Sequence, residues 1–346
     1  MPPLATLDLT PMAGLTPMAD LTRMEPRLGP LTRRQVLGGA VGGAVLLGLS
    51  GCGDDDSDDV AADSGLAAAA PSRVVALGQG ADADTLIALG ITPVAMSAGF
   101  TADVYPWTAE ALGSRSVEIV QATDSVPIEQ IAAYRPDLIV ATTLYDFARF
   151  RGPLERIATV LGPTTTADAE SWQQTTARVG EAVGRAAEAR TLVADTEAGL
   201  AAVRNAHPAW AGKTFTFGPV TPGEQLYTVS SAEDVSASLL AQLGLVLSPS
   251  VTSLPPSDSA GRANLSLEQL ALLDADALLL THFGGDGPRA AFEAQPVFQQ
   301  IPAVQRGSYV ALDGDVAIGL AFPSVLSIPY SVERLTPQLE KALDAG

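Results

Sequence analysis

The chain has 346 residues, a formal net charge of −19, 47% apolar residues, one cysteine and two histidines. That charge excludes nucleic acid as a partner, because phosphate binding needs a basic face, although a pocket can be locally positive within an acidic protein. The single cysteine excludes a disulfide framework and a thiolate zinc cluster, and two histidines leave little material for a transition-metal site.

The first 51 residues read as an export signal. Met18 and Met24 are alternative translation starts to Met1. Arg33 and Arg34 precede a glycine-broken apolar run over residues 36–49, and Leu49-Ser50-Gly51-Cys52 follows. A positive start, a short apolar stretch and a small-residue cleavage site make a secretory signal too short to span a bilayer. The tetrad resembles a lipobox, with Cys52 as the lipidated residue, and the paired arginines resemble the twin-arginine export signature. Residues 52–71 carry Asp54, Asp55, Asp56, Asp58 and Asp59 among small residues, and read as a solvated acidic tether between membrane and domain.

From Ser72 onward, short β-rich runs alternate with amphipathic helices. Strands are expected at 73–77, 92–96 and 138–142, with helices at 82–89 and 128–134. Residues 167–206 form one long helical pattern rich in Ala, Glu and Arg, without proline. It is too long for an ordinary crossover and is expected to span two lobes. Strand and helix alternation resumes at 214–218, and a last helix is expected at 327–343.

An internal repeat supports two lobes. Glu129, Gln130, Ala132, Asp137 and Thr142 recur at the same spacing as Glu268, Gln269, Ala271, Asp276 and Thr281. The expected architecture is α/β: two Rossmann-like lobes, residues 72–166 and 207–346, joined by a single long rigid α-helix at 167–206.

The runs Arg73-Val74-Val75-Ala76-Leu77, Asp84-Thr85-Leu86-Ile87-Ala88-Leu89-Gly90, Ile128-Glu129-Gln130-Ile131 and Arg135-Pro136-Asp137-Leu138-Ile139-Val140, followed by the long helix, are similar to the helical-backbone periplasmic binding proteins. That family comprises the siderophore and cobalamin receptors of ABC importers. The resemblance spans residues 72–345. It implies a largely preformed cleft between the lobes, no catalysis and no cofactor, with a ferric siderophore as the cargo and a monomeric receptor. It also implies an acidic residue on each lobe that meets the importer permease. By position these are Glu129 and Glu268, although an ordinary first-turn glutamate is the alternative for each.

Ligands of parallel α/β lobes lie outside the carboxyl ends of strands. That rule selects Gln79, Met96, Ser97, Tyr105, Trp107, Thr143 and Tyr145 in the first lobe, with Tyr227, His282, Phe283 and Phe322 in the second. Aromatic rings suit large, partly apolar iron chelates. Arg149 and Arg151, interleaved with Phe147 and Phe150, are candidates for neutralising an anionic ligand, and Arg262 is a further candidate on the other lobe. A solvated helix start is the alternative for Arg149 and Arg151. Cobalamin or haem remains an alternative cargo, with a tyrosine or His282 able to supply an axial group to haem. A chelatase-like enzyme remains an alternative of another class.

Overall fold

Each strand of the first lobe alternates its side chains between two buried faces, so helices cover the sheet on both sides. In the computed structural model this lobe runs β1 (Val74–Ala76), α1 (Ala81–Ala88), β2 (Ala95–Ser97), α2 (Pro106–Leu112), β3 (Glu118–Val120), α3 (Ile128–Ala133), β4 (Leu138–Val140), α4 (Phe147–Glu155) and β5 (Thr159–Leu161). The sheet is wholly parallel, in the order β3-β2-β1-β4-β5. Val74, Ala76, Met96, Leu138 and Val140 pack on one face with α1, while Val75, Leu77, Ala95 and Ile139 pack on the other with Ile131 and Leu154.

The structure describes residues 70–344, apart from 79, 123–124, 165–169, 222–224 and 258–260. The expected signal, Cys52, most of the tether and the candidate Gln79 lie outside the described residues. Among the described residues, no helix is long and apolar enough to cross a membrane.

The helical run between the lobes is divided. α5 (Trp172–Ala182) and α6 (Ala186–Ala206) are separate helices. Gly184 takes φ +70°, Arg185 N–H donates to Gly180 O at 2.7 Å, and Gly184 N–H donates to Glu181 O at 3.1 Å. This is a Schellman stop, which needs a left-handed residue that glycine adopts without strain. The two helices then fold back on each other. Gln173 Nε2 donates to Glu197 Oε1, and a Cβ on Gly180 would overlap Ala189 Cβ. The 21-residue α6 bridges the lobes: Ala189 is buried in the first-lobe core and Leu200 in the second, while Leu192 packs against both.

The second lobe contains β6 (Thr214–Thr221), β7 (Gln225–Val229), α7 (Val235–Gln242), β8 (Val246–Leu247), α8 (Pro249–Thr252), β9 (Arg262–Leu265), β10 (Ala277–His282), α9 (Asp286–Glu293), α10 (Pro296–Gln299), α11 (Pro302–Gln305), β11 (Tyr309–Leu312), α12 (Gly314–Ala321) and α13 (Ser327–Asp344). Its sheet order is β11-β10-β6-β7-β9, with β8 also on β6. The parallel part, β8, β6, β10 and β11, mirrors the first lobe, but β7 and β9 add antiparallel pairs.

The sequence repeat has a structural meaning. Asp137 accepts hydrogen bonds from Ser72 N, Ser72 Oγ and Arg73 N, tying the entry of β4 to the entry of β1. Asp276 does the same for β10 and β6, accepting from Thr214 N and Thr214 Oγ1. These bonds hold both carboxyls below the usual carboxylate range despite some desolvation.

Candidate ligand-binding cleft

The carboxyl ends of the two sheets face a cavity of about 330 Å³ between the lobes. The first lobe contributes Phe100 and Thr101 from the loop after β2. Phe100 is held there because its N–H donates to Tyr105 Oη at 2.9 Å, and Gly99 leaves room for the tyrosine ring, which a Cβ would overlap. Phe100 remains 47% exposed although it is large and apolar. Its ring lies 5.3 Å from that of Phe322 on the opposite lobe.

The second lobe builds the floor and the far wall. Phe217, Gly218 and Pro219 come from β6, Thr281 from β10, and Ile318 from α12. Phe283 and Phe322 complete an aromatic rim. A Cβ at Gly218 would overlap the carbonyl oxygen of Tyr227, so this glycine permits the close pairing of β6 and β7 behind the cavity.

Two polar groups stand out in this apolar surface. Arg262 lines the cavity at the start of β9, and its Nε lies 3.5 Å from Asp234 Oδ2. Asp234 in turn caps α7 by accepting from Ser236 N–H at 2.8 Å. Thr281 is buried, and its Oγ1 has no hydrogen-bond partner among the described residues. An unsatisfied buried hydroxyl costs roughly 1–3 kcal/mol.

The repeat explains why Thr281 is unpaired. Its counterpart Thr142 donates through Oγ1 to Asp82 Oδ1, and Thr142 N–H and Gly78 N–H both donate to Asp82 Oδ2. Asp82 belongs to α1, the helix that follows the first strand. In the second lobe β6 runs instead into the β7 hairpin, so no helix delivers a carboxylate to Thr281. The buried Asp82 carboxyl is pushed up to about 6 by desolvation, against the lowering effect of its donors.

Behind the cavity the lobes meet in a second aromatic cluster. Tyr105 and Trp107 stack at 4.7 Å, and both pack with Ile318 of α12. Trp107 Nε1 donates to Asp84 Oδ2 at 2.8 Å, and Thr108 Oγ1 donates to Asp84 Oδ1 at 2.6 Å. Burial pushes the Asp84 carboxyl up to about 6, and it pushes the Tyr105 phenol upward.

The sequence-derived candidates divide sharply. Phe283, Phe322 and Arg262 line the cavity. Tyr105 and Trp107 are buried in the junction beside it, where they hold Phe100 and the lobe interface. Met96 does not reach the cavity, because strand alternation turns it into the helix-covered core. Ser97 Oγ donates to Gly78 O, bracing the ends of β1 and β2. Tyr145 is 71% exposed outside the cavity. Tyr227 sits in β7, behind Gly218, and is not part of the lining.

The expectation for Arg149 and Arg151 is corrected. Both are exposed on α4, away from the cavity lining. Arg149 lies over the ring of its neighbour Phe150, and Arg151 pairs with Glu155 one helical turn on. His282 is also redirected. Its Nε2 is 2.8 Å from Tyr309 Oη, which donates to Glu293 Oε1, and Arg289 Nε donates to the same oxygen. Burial lowers the imidazole pKa, so at neutral pH the ring is an uncharged brace for α9. Among the described residues, no cluster of three His, Cys, Asp or Glu side chains can hold a metal ion.

Phe100, Phe217 and Ile318 were not among the candidates. Phe100 had a signal, since it follows β2 between two chosen residues. Phe217 and Ile318 had none, because apolar residues inside a strand and a helix read as core.

Two α/β lobes bridged by a helix and closed around a preformed, largely apolar cavity define a solute-binding protein. The chain belongs to the periplasmic binding protein family, whose sequence profile it matches over residues 74–316. Such proteins work outside the cytoplasm as receptors and not as enzymes. The chain is 26% identical over 258 residues to the Fe(3+) dicitrate-binding periplasmic protein FecB of Escherichia coli K12, covering 71% of this chain and 78% of that one. It is 30% identical over 200 residues to the ferric enterobactin-binding periplasmic protein FepB of Escherichia coli O6:H1, covering 53% of this chain and 59% of that one. Among solved structures, it resembles PiaA of Streptococcus pneumoniae TIGR4 in complex with ferrichrome, with TM-score 0.68 and 26% identity over 80% of this chain and 94% of that one.

Proposed function

We propose that this protein binds a ferric siderophore outside the cytoplasm and delivers it to the permease of an ABC importer. The observation that carries this reading is the cavity itself: mostly apolar, with four phenylalanines, few polar groups and walls from both lobes. It suits a bulky chelate whose iron is already wrapped by organic ligands. The iron-complex receptors among its relatives support the same class of cargo. Haem is less well served. His282 Nε2 is engaged by Tyr309, and neither histidine nor tyrosine is among the described residues lining the cavity.

Twin arginines and the tetrad ending in Cys52 support export followed by lipid anchoring, with residues 52–71 as the tether. Glu129 in the first turn of α3 and Glu268 in the turn Leu267–Leu273 are both exposed on repeat-related units, one per lobe. That symmetry supports docking of a monomeric receptor on a two-fold permease.

Native mass spectrometry of the protein against a panel of ferric complexes, haem and cobalamin tests the cargo. Retention of at least one ferric siderophore is expected. Retention of haem or cobalamin alone overturns the reading.

A further inference from the structure

We infer that the cleft discriminates by charge, accepting ferric complexes whose coordination shell is close to neutral, of the tris-hydroxamate class, and rejecting highly anionic tris-catecholates. The inference rests on the siderophore reading and adds the ligand chemistry to it.

Charge balance separates the two classes of chelate. Three hydroxamates, each carrying one negative charge, neutralise ferric iron. Three catecholates, each carrying two, leave a trianion. A cleft built for a trianion must replace lost hydration with several cationic donors, because an uncompensated charge is costly to bury. Among the described residues lining this cavity there is one such donor, Arg262. Its guanidinium is already opposed by Asp234 at 3.5 Å, and the Asp234 carboxylate is itself almost wholly buried.

The rest of the lining points the same way. Phe100, Phe217, Phe283 and Phe322 offer ring faces to the organic shell of a chelate, not to its charge. Arg149 and Arg151, the cations that would have served a trianion, lie outside the cavity. Asp315 stands in the first turn of α12, the helix that supplies Ile318, and its charge reaches Tyr105. Over longer range the chain carries a net −19, which repels anions from the cleft.

What remains is polar capacity suited to neutral acceptors. Arg262 can donate a hydrogen bond to a carbonyl or hydroxamate oxygen, whereas the Thr281 hydroxyl is sealed beneath the lining. Arg262 is therefore a specificity residue, and Asp234 is a positioning residue that limits how cationic Arg262 appears to a ligand.

Calorimetric titration of the full chain with ferrichrome and with ferric enterobactin, at low and high ionic strength, tests this. Ferrichrome is expected to bind at least about tenfold more tightly, with little response to salt. Any enterobactin binding is expected to strengthen with salt, because screening relieves repulsion. Asp234→Asn, which keeps a helix-capping side chain, should narrow the gap at least about threefold by strengthening enterobactin binding. Arg262→Gln provides a second route, widening the gap instead. Equal or tighter binding of enterobactin overturns the charge filter and leaves the siderophore reading intact. Failure of both complexes, with haem or cobalamin retained, overturns the siderophore reading and the filter together.

Discussion

Ser324 Oγ donates a 2.6 Å hydrogen bond to Asp84 Oδ2 across 240 residues of chain, joining the first helix of one lobe to the start of the last helix of the other. Ser324 Oγ also accepts from Ser327 N–H at 2.9 Å, so the residue that caps α13 is itself anchored on the opposite lobe. With Trp107 and Thr108 bound to the same carboxylate, Asp84 is the polar centre of the lobe junction. A buried, fully bonded node of this kind opposes hinge motion and keeps the cleft preformed.

Removing that node should be costly. Asp84→Ala strands Trp107 Nε1 in a buried site and is expected to lower stability by roughly 3 kcal/mol, read from urea unfolding. Asp84→Asn keeps an acceptor for Trp107 and Ser324 without the buried charge, and is expected to be no less stable than the wild type at neutral pH. An equal loss for both variants would show that the hydrogen bonds are not what holds the junction.

The same carboxyl makes a pH prediction. Its folded value is about 6, against 3.8 for the free side chain, so the folded protein holds this proton more tightly. The group therefore favours folding most below pH 3.8, and that advantage is lost as pH rises through 6. Relative to Asp84→Asn, the wild-type protein should lose up to roughly 3 kcal/mol between pH 4 and pH 7. Melting temperatures of the two proteins across that window measure the difference, and parallel curves would refute it.

Gly218 offers a test of the cavity floor. Gly218→Ala sets a methyl group against the Tyr227 carbonyl, which is backbone and cannot rotate away. A loss of at least about 1–3 kcal/mol is expected, together with weaker ligand binding, as β7 is pushed off β6. A variant with unchanged stability would mean that the hairpin is looser than its pairing implies.

The arginines on α4 make a negative prediction. Arg149→Ala and Arg151→Ala should leave siderophore affinity unchanged within about twofold. The exposed Arg151–Glu155 pair contributes little to stability. A tenfold loss of affinity in either variant would return α4 to the binding site.

Docking is separable from binding. Charge reversal of Glu129 and Glu268 together should abolish transport by the cognate permease while calorimetric ligand affinity stays the same. Normal uptake by the double variant would remove both residues from the docking surface.

The repeat shows what local pattern can reveal. Alternating apolar runs and helical periodicity placed strands and helices near residues 74, 128, 138, 214 and 327, because backbone periodicity is written into neighbouring residues. The matched pairs Asp137 with Asp276 and Thr142 with Thr281 were visible without any structure. So was Gly184, although its helix-stopping role was lost within the long Ala, Glu and Arg pattern around it. Its positive φ and the Gly180–Ala189 approach belong to the hairpin that forms there.

The amino-acid sequence alone determined the two-lobed α/β class and marked Phe283 and Phe322, which line the cavity. Only tertiary structure decided that Met96 faces the core, that Arg262 and not Arg149 or Arg151 meets the cleft, and that Thr281 lacks the carboxylate that Thr142 has. The physical reason is range. A strand or helix is dictated by residues a few positions apart, whereas a cavity is made where Phe100, Phe217, Arg262 and Ile318 converge, and only the packing of one lobe against the other brings them together.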